Sequence, residues 1–368
     1  RLQSKLATEQ NRLRDAKSTI QYWRKREGNQ QSWNEICAHA LLLLSEIRID
    51  TYRELITRVN AFHHLKHGPP PTAISARSVY TIYRMDINLS RDYYLKNTAD
   101  DPNYVFILVG STSEKTVASQ LVEVSDTSLM RSRRFHIDEE MVFKNLPINF
   151  RIFLKLYVMK IEQRSRTPKA LAKKMAASLF SKFTPPVPNH NTSIGSRNDE
   201  DVTTGFELAG SFIFSRSSIG HFTAFFDNPI YPLDGSAEVN SKVSALPEEL
   251  ATEVKGIWKF FSETEVISYY IEKKDGILNC FEIPDEQNQL EGPKFTIDLS
   301  TICNTQIEPG NPLSAEHQFI FSFEVVVFPR GSDESSQKNY VVGVETEEEL
   351  FKWINTINAG LQIIRGKQ

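Results

Sequence analysis

Residues 346–361 read TEEELFKWINTINAGL, and this stretch decides the fold of the last third of the chain. Thr346 is placed to cap a helix, and Glu349, three residues on, holds the capping-box position. Leu350, Trp353, Ile354, Ile357 and Leu361 then share one face, so the helix has one apolar stripe to bury. Upstream the period drops to two. GIWKFF (256–261), VISYYI (266–271), ILNCFEI (277–283), FTIDL (295–299), residues 318–328 and YVVGV (340–344) read as six or seven short strands. The spacing predicts a small antiparallel β-domain over 250–368, closed by a C-terminal helix that carries Trp353.

That order of strands and helix, with a central tryptophan, resembles the pleckstrin-homology pattern. A boundary is expected around 247–253. Outward from it, a second β-region is predicted over 75–245. Residues 79–89, 104–109, 117–124, 134–137, 150–158, 206–214 and 223–226 alternate apolar and polar side chains. Turn chemistry at Asp100-Asp101-Pro102 and Asn145-Leu146-Pro147 separates them. Many strands with no long helix between them argue for an antiparallel β-sandwich.

Residues 1–70 carry a different period. Leu2, Leu6, Leu13, Ala16, Ile20 and Trp23 follow alternating four-and-three spacing, with polar Glu9 in the one gap. This is a coiled-coil seam, which needs a partner helix. After Gly28-Asn29, Ser32 and Glu35 form a second capping box, and a helix carrying Leu41 to Leu44, Tyr52, Leu55, Val59 and Phe62 runs to Gly68-Pro69. An antiparallel helical hairpin is the simplest reading. The chain is thus expected to be multidomain and mainly β, with an N-terminal hairpin.

Composition bounds the function. At 368 residues with 40% hydrophobic and 24% charged, the chain has room for two or three globular domains. Cys37, Cys280 and Cys303 stand far apart, which fits a reducing compartment and neither a disulfide framework nor a zinc site. No apolar run is long enough to cross a bilayer, and no signal peptide is read. The chain begins at Arg1 without methionine, so a C-terminal fragment of a longer protein is expected. No phosphate-binding loop, dinucleotide fingerprint, His-Glu-x-x-His or Gly-x-Ser-x-Gly motif occurs, and a non-enzymatic binding protein without cofactor is expected. His63, His64 and His67 stand at a helix end, where positive charge suits the dipole better than a metal would. Asp100, Asp101 and Asp126 supply too few acidic oxygens for a calcium site.

Charge is distributed unevenly. Residues 1–66 hold 12 Lys+Arg against 7 Asp+Glu, whereas from Ala251 onward 10 face 19. A basic segment interrupts the sandwich over 160–204. Lys160, Arg164, Arg166, Lys169, Lys173, Lys174 and Lys182 face the single acid Glu162, and Leu171, Met175, Leu179 and Phe183 line one helical side. Such a segment suits contact with anionic lipid, cations at the headgroups and apolar residues inserted. The plainer reading is an insertion whose apolar side docks on the sandwich. Nucleic acid is disfavoured, because no aromatic platforms interleave with the charges. Thr167 and Thr184, each before a proline, flank the helix as candidate phosphorylation sites that would subtract charge. In the acidic C-terminal domain Lys255, Lys259, Lys273 and Lys274 remain as cations for a headgroup, but the field opposes them, so protein docking is expected there. On the second helix, Arg53, Glu54 and Arg58 lie off the apolar seam as candidate partner contacts. The hairpin reads equally as a structural coiled coil, packed in the chain or on a second copy, or as a GTPase-binding pair.

Several stretches carry a family resemblance. They are Leu41-Leu-Leu-Leu with Arg53-Glu-Leu, Thr167-Pro-Lys, Phe206-Glu-Leu-Ala-Gly-Ser-Phe, Ile297-Asp-Leu-Ser-Thr-Ile-Cys, Gln306-Ile-Glu-Pro-Gly-Asn and Thr346-Glu-Glu-Glu-Leu-Phe-Lys-Trp. In this order they resemble the C-terminal region of anillins. The resemblance implies a Rho-GTPase-binding hairpin with Glu54 on its contact helix, and a C2-like sandwich touching membrane through a lysine-rich loop. It also implies a pleckstrin-homology domain engaging phosphoinositide and septins. A scaffold at the cell cortex and division site, anchoring the contractile ring, with a nuclear pool, follows from the same resemblance. Two departures stand out: the insertion lacks a dense lysine run, and acids replace the basic residues on the early strands of the last domain. They suggest a divergent branch, such as fungal anillin-like proteins, in which membrane binding and self-association outweigh Rho.

Overall fold

The structure, a computed structural model, describes residues 1–27, 32–64, 72–73, 76–95, 103–124, 133–161, 202–262, 265–283, 292–315, 318–328 and 337–366. The fold is mainly β with N-terminal helices. It divides into two compact units, Arg1–Asn60 with Thr81–Val142 and Arg151–Lys242, and Ala61–Tyr80 with Phe143–Phe150 and Val243–Gln368.

In the first unit, α1 (Leu2–Glu27) and α2 (Trp33–His64) form an antiparallel pair. Arg24 reaches Glu35 at 3.5 Å, Arg48 lies 3.9 Å from Glu9, and Lys5 sits over the Tyr52 ring. Ala16 and Ile20 pack against Ala38 and Leu42, so the partner the seam requires is α2 itself. Glu9 is buried in that seam and is held by Arg12 at 2.7 Å. Ser32 caps α2 by accepting the Glu35 N–H.

Strands β1 (Ser78–Leu89), β5 (Arg134–Ile137), β6 (Met141–Leu146), β9 (Gly220–Phe225) and β10 (Leu233–Val243) make one antiparallel sheet, ordered β5-β1-β10-β9 with β6 also on β1. The second sheet holds β2 (Asn103–Ser111), β3 (Thr116–Ala118), β4 (Val122–Val124), β7 (Arg151–Ile161) and β8 (Glu207–Ser215), ordered β3-β2-β7-β8 with β4 also on β2. Phe106 stacks on Phe135 at 4.4 Å, and Phe214 meets Phe222 edge-on at 5.3 Å, joining the two sheets face to face. On the outer side of the second sheet, Ile36, Cys37, Ala40, Leu43 and Leu44 of α2 cover Val105, Ile107, Val109, Met159 and Ile161.

Three strand expectations change; one is that Met141–Leu146, read as leading into a turn at 145–147, forms β6. The single strand expected over 117–124 is two, because the Ser119 hydroxyl accepts the Leu108 N–H at 3.0 Å and breaks the ladder. Strand β10 was not anticipated from the sequence. Its inward residues include small Ala237 and polar Ser241, so its apolar signal is weak although it lies between β1 and β9.

The second unit holds α4 (Glu248–Ala251), β11 (Val254–Phe261), β12 (Val266–Lys274), β13 (Ile277–Glu282), β14 (Phe295–Asp298), β15 (Leu313–Ala315), β16 (Gln318–Val327), β17 (Lys338–Val344) and α5 (Glu347–Arg365). A short α3 (Arg91–Leu95) belongs to the first unit. Seven antiparallel strands run in the order β14-β13-β12-β11-β17-β16-β15, and α5 packs against their inner face. This is the pleckstrin-homology arrangement. Thr346 caps α5 by accepting the Glu349 N–H at 3.2 Å. Trp353 is 2% exposed and meets Trp258 edge-on at 4.9 Å. Gly256 makes the close approach possible, since a Cβ there would stand 3.1 Å from the Trp353 Nε1. Ala76 and Ile148 also belong to this core, so the unit draws on chain well upstream of residue 245.

Candidate functional site

Binding surfaces, rather than a cleft, are what these elements build. Among the described residues no group of three or more His, Cys, Asp or Glu is placed to hold a metal ion. Also among them, no helix is long and apolar enough to cross a membrane.

On the hairpin, Arg53, Glu54 and Arg58 are exposed on the part of α2 beyond its buried stretch at 35–45. Arg53 stands 3.4 Å from Asp50 one turn back, and both are open to solvent. The three residues do converge on one short reach of helix, as their spacing predicts. The root of α2 is fixed by His39, a residue sequence reasoning passed over. It is 1% exposed, and its Nδ1 accepts the Gly205 N–H at 2.9 Å. Its carbonyl accepts the Thr204 hydroxyl. Burial, helped by the Arg24 charge, lowers the imidazole from 6.5 to about 4. A ring whose Nδ1 accepts must be neutral, so Nε2 carries the proton, on the side of Glu35 at 3.8 Å.

In the sandwich, Lys160 ends β7 and is exposed. Arg164, Arg166, Thr167, Lys169, Leu171, Lys173, Lys174, Met175, Leu179, Lys182, Phe183 and Thr184 lie outside the described residues. The chain re-enters at Val202, buried with Ala16, Ile20, Ala38 and Leu42. Earlier on β7, Arg151 and Lys155 are exposed and make no ion pair among the described residues.

In the C-terminal unit the cations are used differently. Lys255 pairs with Glu272 at 2.8 Å, Lys259 with Glu345 at 3.1 Å, Lys274 with Glu253 at 3.0 Å and Lys294 with Glu282 at 2.7 Å. Hydrogen bonds to Glu272 and Glu253 hold Lys255 and Lys274 above the ordinary lysine value. Lys273 is not a surface cation at all. It is buried, and its Nζ donates to the carbonyls of Glu249, Leu250 and Thr252 at 2.8–3.2 Å. It thereby caps the end of α4, and burial pulls its ammonium below the usual range. The two-residue period carried this signal, for Lys273 shares a strand face with buried Ile271.

Two of the stretches that carry the family resemblance, 297–303 and 306–311, make local structural contacts. Asp298 accepts the Ser300 N–H to cap a turn of 3-10 helix at Leu299–Thr301. Asn358 of α5 clamps Ile307 through both its backbone groups, at 2.8 and 2.9 Å. Arg365 closes the end of α5 on the carbonyls of Ile302, Asn304 and Thr305.

A family model described as cell division protein anillin matches residues 76–220. Anillin-like protein 3 of Caenorhabditis elegans is 22% identical over 90% of the chain and 48% of its own length. Anillin-like protein 2 of the same organism is 24% identical, over 90% of the chain and 34% of its own length. The chain therefore spans less than half the length of either relative. Among solved structures, the Slm1 pleckstrin-homology domain, described as binding ligand at a non-canonical site, covers 30% of this chain and 98% of its own. Its identity is 16% and its TM-score 0.24. The DH/PH domains of p115-RhoGEF cover 29% and 30%, at 11% identity and a TM-score of 0.20. The chain is thus similar to anillins, through its middle by the family model and over nine-tenths of its length by anillin-like proteins.

Proposed function

We propose that this chain is the anchoring region of a cytokinetic scaffold at the cell cortex. Its C2-like sandwich binds anionic membrane lipid, and its hairpin and pleckstrin-homology unit bind protein partners. The supporting observation is how cations are placed in the two units. Those of β7 stand exposed and unpaired, and the same strand leads into the basic segment that begins at Lys160. In the C-terminal unit Lys255, Lys259, Lys274 and Lys294 are held by acids and Lys273 is buried, while Lys352 on its helix stands exposed. A polybasic contact contributes roughly 1 kcal/mol per cation near an anionic leaflet, so the seven cations of 160–182 are enough for peripheral attachment. Phosphate on Thr167 or Thr184 would weaken it.

The test is co-sedimentation of the intact chain with phosphatidylserine-containing vesicles. A cut near residue 245 is unsuitable, because Ala76 and Ile148 belong to the C-terminal core. Replacing Lys169, Lys173 and Lys174 by Glu should weaken pelleting, and raised salt should weaken the wild type toward the same level. Equal pelleting of variant and wild type would overturn the assignment of lipid binding to this segment.

A second reading, a Rho-type GTPase effector, has its own observation in the solvent-open Arg53, Glu54 and Arg58 of α2. Binding that requires the GTP form and is lost on Glu54→Lys supports it. Because α1 spends its seam on α2, self-association through that seam would require the hairpin to open. Septins and contractile-ring proteins are the proposed partners of the acidic C-terminal unit.

A further inference from the structure

The outer face of the β7–β8 pair is left bare. Along β7, Ile152, Leu154 and Leu156 point inward and are 0% exposed, so Arg151, Phe153, Lys155 and Tyr157 line the other side. The register sets Ser215 opposite Arg151, Ile213 opposite Phe153, Ser211 opposite Lys155 and Leu208 opposite Tyr157. Helix α2 covers β2 and the far end of β7, where Met159 and Ile161 are buried and Tyr157 packs against the same cluster. The remainder is open: Phe153 is 45%, Ile213 53% and Leu208 45% exposed.

Two features of this strip are unusual together. Directly opposed apolar residues of this size on a sheet face are normally covered. Here they alternate with Arg151 and Lys155, and neither cation forms an ion pair. Asp227, bridged to Ser211 through its backbone, pairs with neither. Among the described residues the face therefore has no apolar cover and no acid paired with its cations, and whatever covers it must supply both. At about 3.3 Å per residue, the strip from Arg151 to Lys155 is about 13 Å long.

We infer that the β7–β8 outer face is a preformed contact for an anionic bilayer, with Phe153 and Ile213 entering the headgroup layer and Arg151 and Lys155 binding lipid phosphates or carboxylates. Three points favour a bilayer over an acidic protein helix. The strip lies on the last strand pair of its sheet, away from β3 and β4. Its half-exposed apolar residues are separated by serines and cations, so they form isolated anchors and not a continuous groove. The basic segment also leaves β7 after Ile161 and returns just before β8, so both attractive elements are carried by the same two strands. This inference rests on the lipid reading above and adds a rigid platform to it.

The experiment is co-sedimentation of the intact chain with phosphatidylserine/phosphatidylcholine vesicles and with phosphatidylcholine alone. Three variants are compared with the wild type: R151E/K155E, F153S/I213S and K169E/K173E/K174E. The expected result is a loss of about thirtyfold or more for R151E/K155E with unchanged thermal melting, since two cations are removed and their charge reversed. F153S/I213S should also lose binding, while keeping the salt dependence of the wild type. If both platform variants bind like wild type and only K169E/K173E/K174E is impaired, the platform is wrong and the lipid reading stands. If the wild type itself does not prefer phosphatidylserine, both fall, and an acidic protein becomes the occupant to seek. A label guards against misfolding: Ile213→Cys carrying an environment-sensitive dye should shift to the blue with phosphatidylserine vesicles only. No shift overturns the platform.

Discussion

The two units put the same residue types to opposite uses. In the sandwich, Arg151 and Lys155 stand beside exposed Phe153 and Ile213 with no acid to neutralise them. In the pleckstrin-homology unit, Lys255, Lys259, Lys274 and Lys294 each have a carboxylate within about 3 Å, and Lys273 is enclosed by carbonyls. Net charge separates these regions, and pairing adds to it at these positions, because a cation already bound to a carboxylate must break that contact to take a headgroup. Elsewhere in the sandwich Arg84 and Arg134 are paired as well. The fold name therefore does not locate the lipid contact.

The largest expected effect is confined to one side of this comparison. Trp353→Ala empties the centre of the C-terminal core, where the ring meets Trp258 and lies against Gly256. A loss of about 3–5 kcal/mol is expected. Calorimetry should show the C-terminal transition fall while vesicle binding by the sandwich persists. If both are lost together, the units do not act separately.

Acid should act on the other side. The His39 imidazole is lowered from 6.5 to about 4, so the native state binds fewer protons than the unfolded chain between those values. The neutral ring's contribution is therefore complete above about pH 6.5 and is lost as the pH falls toward about 4. The total is about 3 kcal/mol. Melting of the first unit should drop across that window, and His39→Gln should flatten the dependence. Among the described residues, His39 is the one buried histidine, so the C-terminal unit should not follow the same curve.

How far the sequence showed these features depends on the kind of pattern each leaves. The start of the helix at 347–365 was legible, because capping Thr346 and a one-sided apolar stripe are both local signals. The α1 seam was legible too, even with Glu9 in it, because heptad spacing survives one polar substitution. His39 was not legible. Its neighbours Ala38 and Ala40 are apolar, but its meaning comes from Gly205, far along the chain. Nor was the bareness of β7–β8, since alternation gives Phe153 an outer face and cannot say whether a helix covers it. Lys273 was half legible: strand parity put it inside, while its charge and its neighbours Glu272 and Lys274 suggested solvent.

Lys273→Met tests that burial at intermediate size. The methionine keeps the apolar stem and removes the donor from three carbonyls at the end of α4. About 2 kcal/mol of destabilisation is expected, again in the C-terminal transition, with vesicle binding unchanged. Were Lys273 a lipid contact instead, binding would fall and stability would hold.

The smallest expected effect bears most directly on the comparison. Neutralising the acids that hold surface lysines, with Glu253→Gln, Glu272→Gln, Glu282→Gln and Glu345→Gln together, frees Lys274, Lys255, Lys294 and Lys259. These are exposed pairs, so melting should barely move. If pairing is what withholds the C-terminal unit from lipid, the variant should gain phosphatidylserine binding by a few-fold. The gain should survive in the R151E/K155E background, where the sandwich contact is weakened. No gain in either background would mean that geometry, not carboxylate pairing, keeps this unit off the membrane, because lysines spread over β11, β12 and the approach to β14 do not converge on one headgroup.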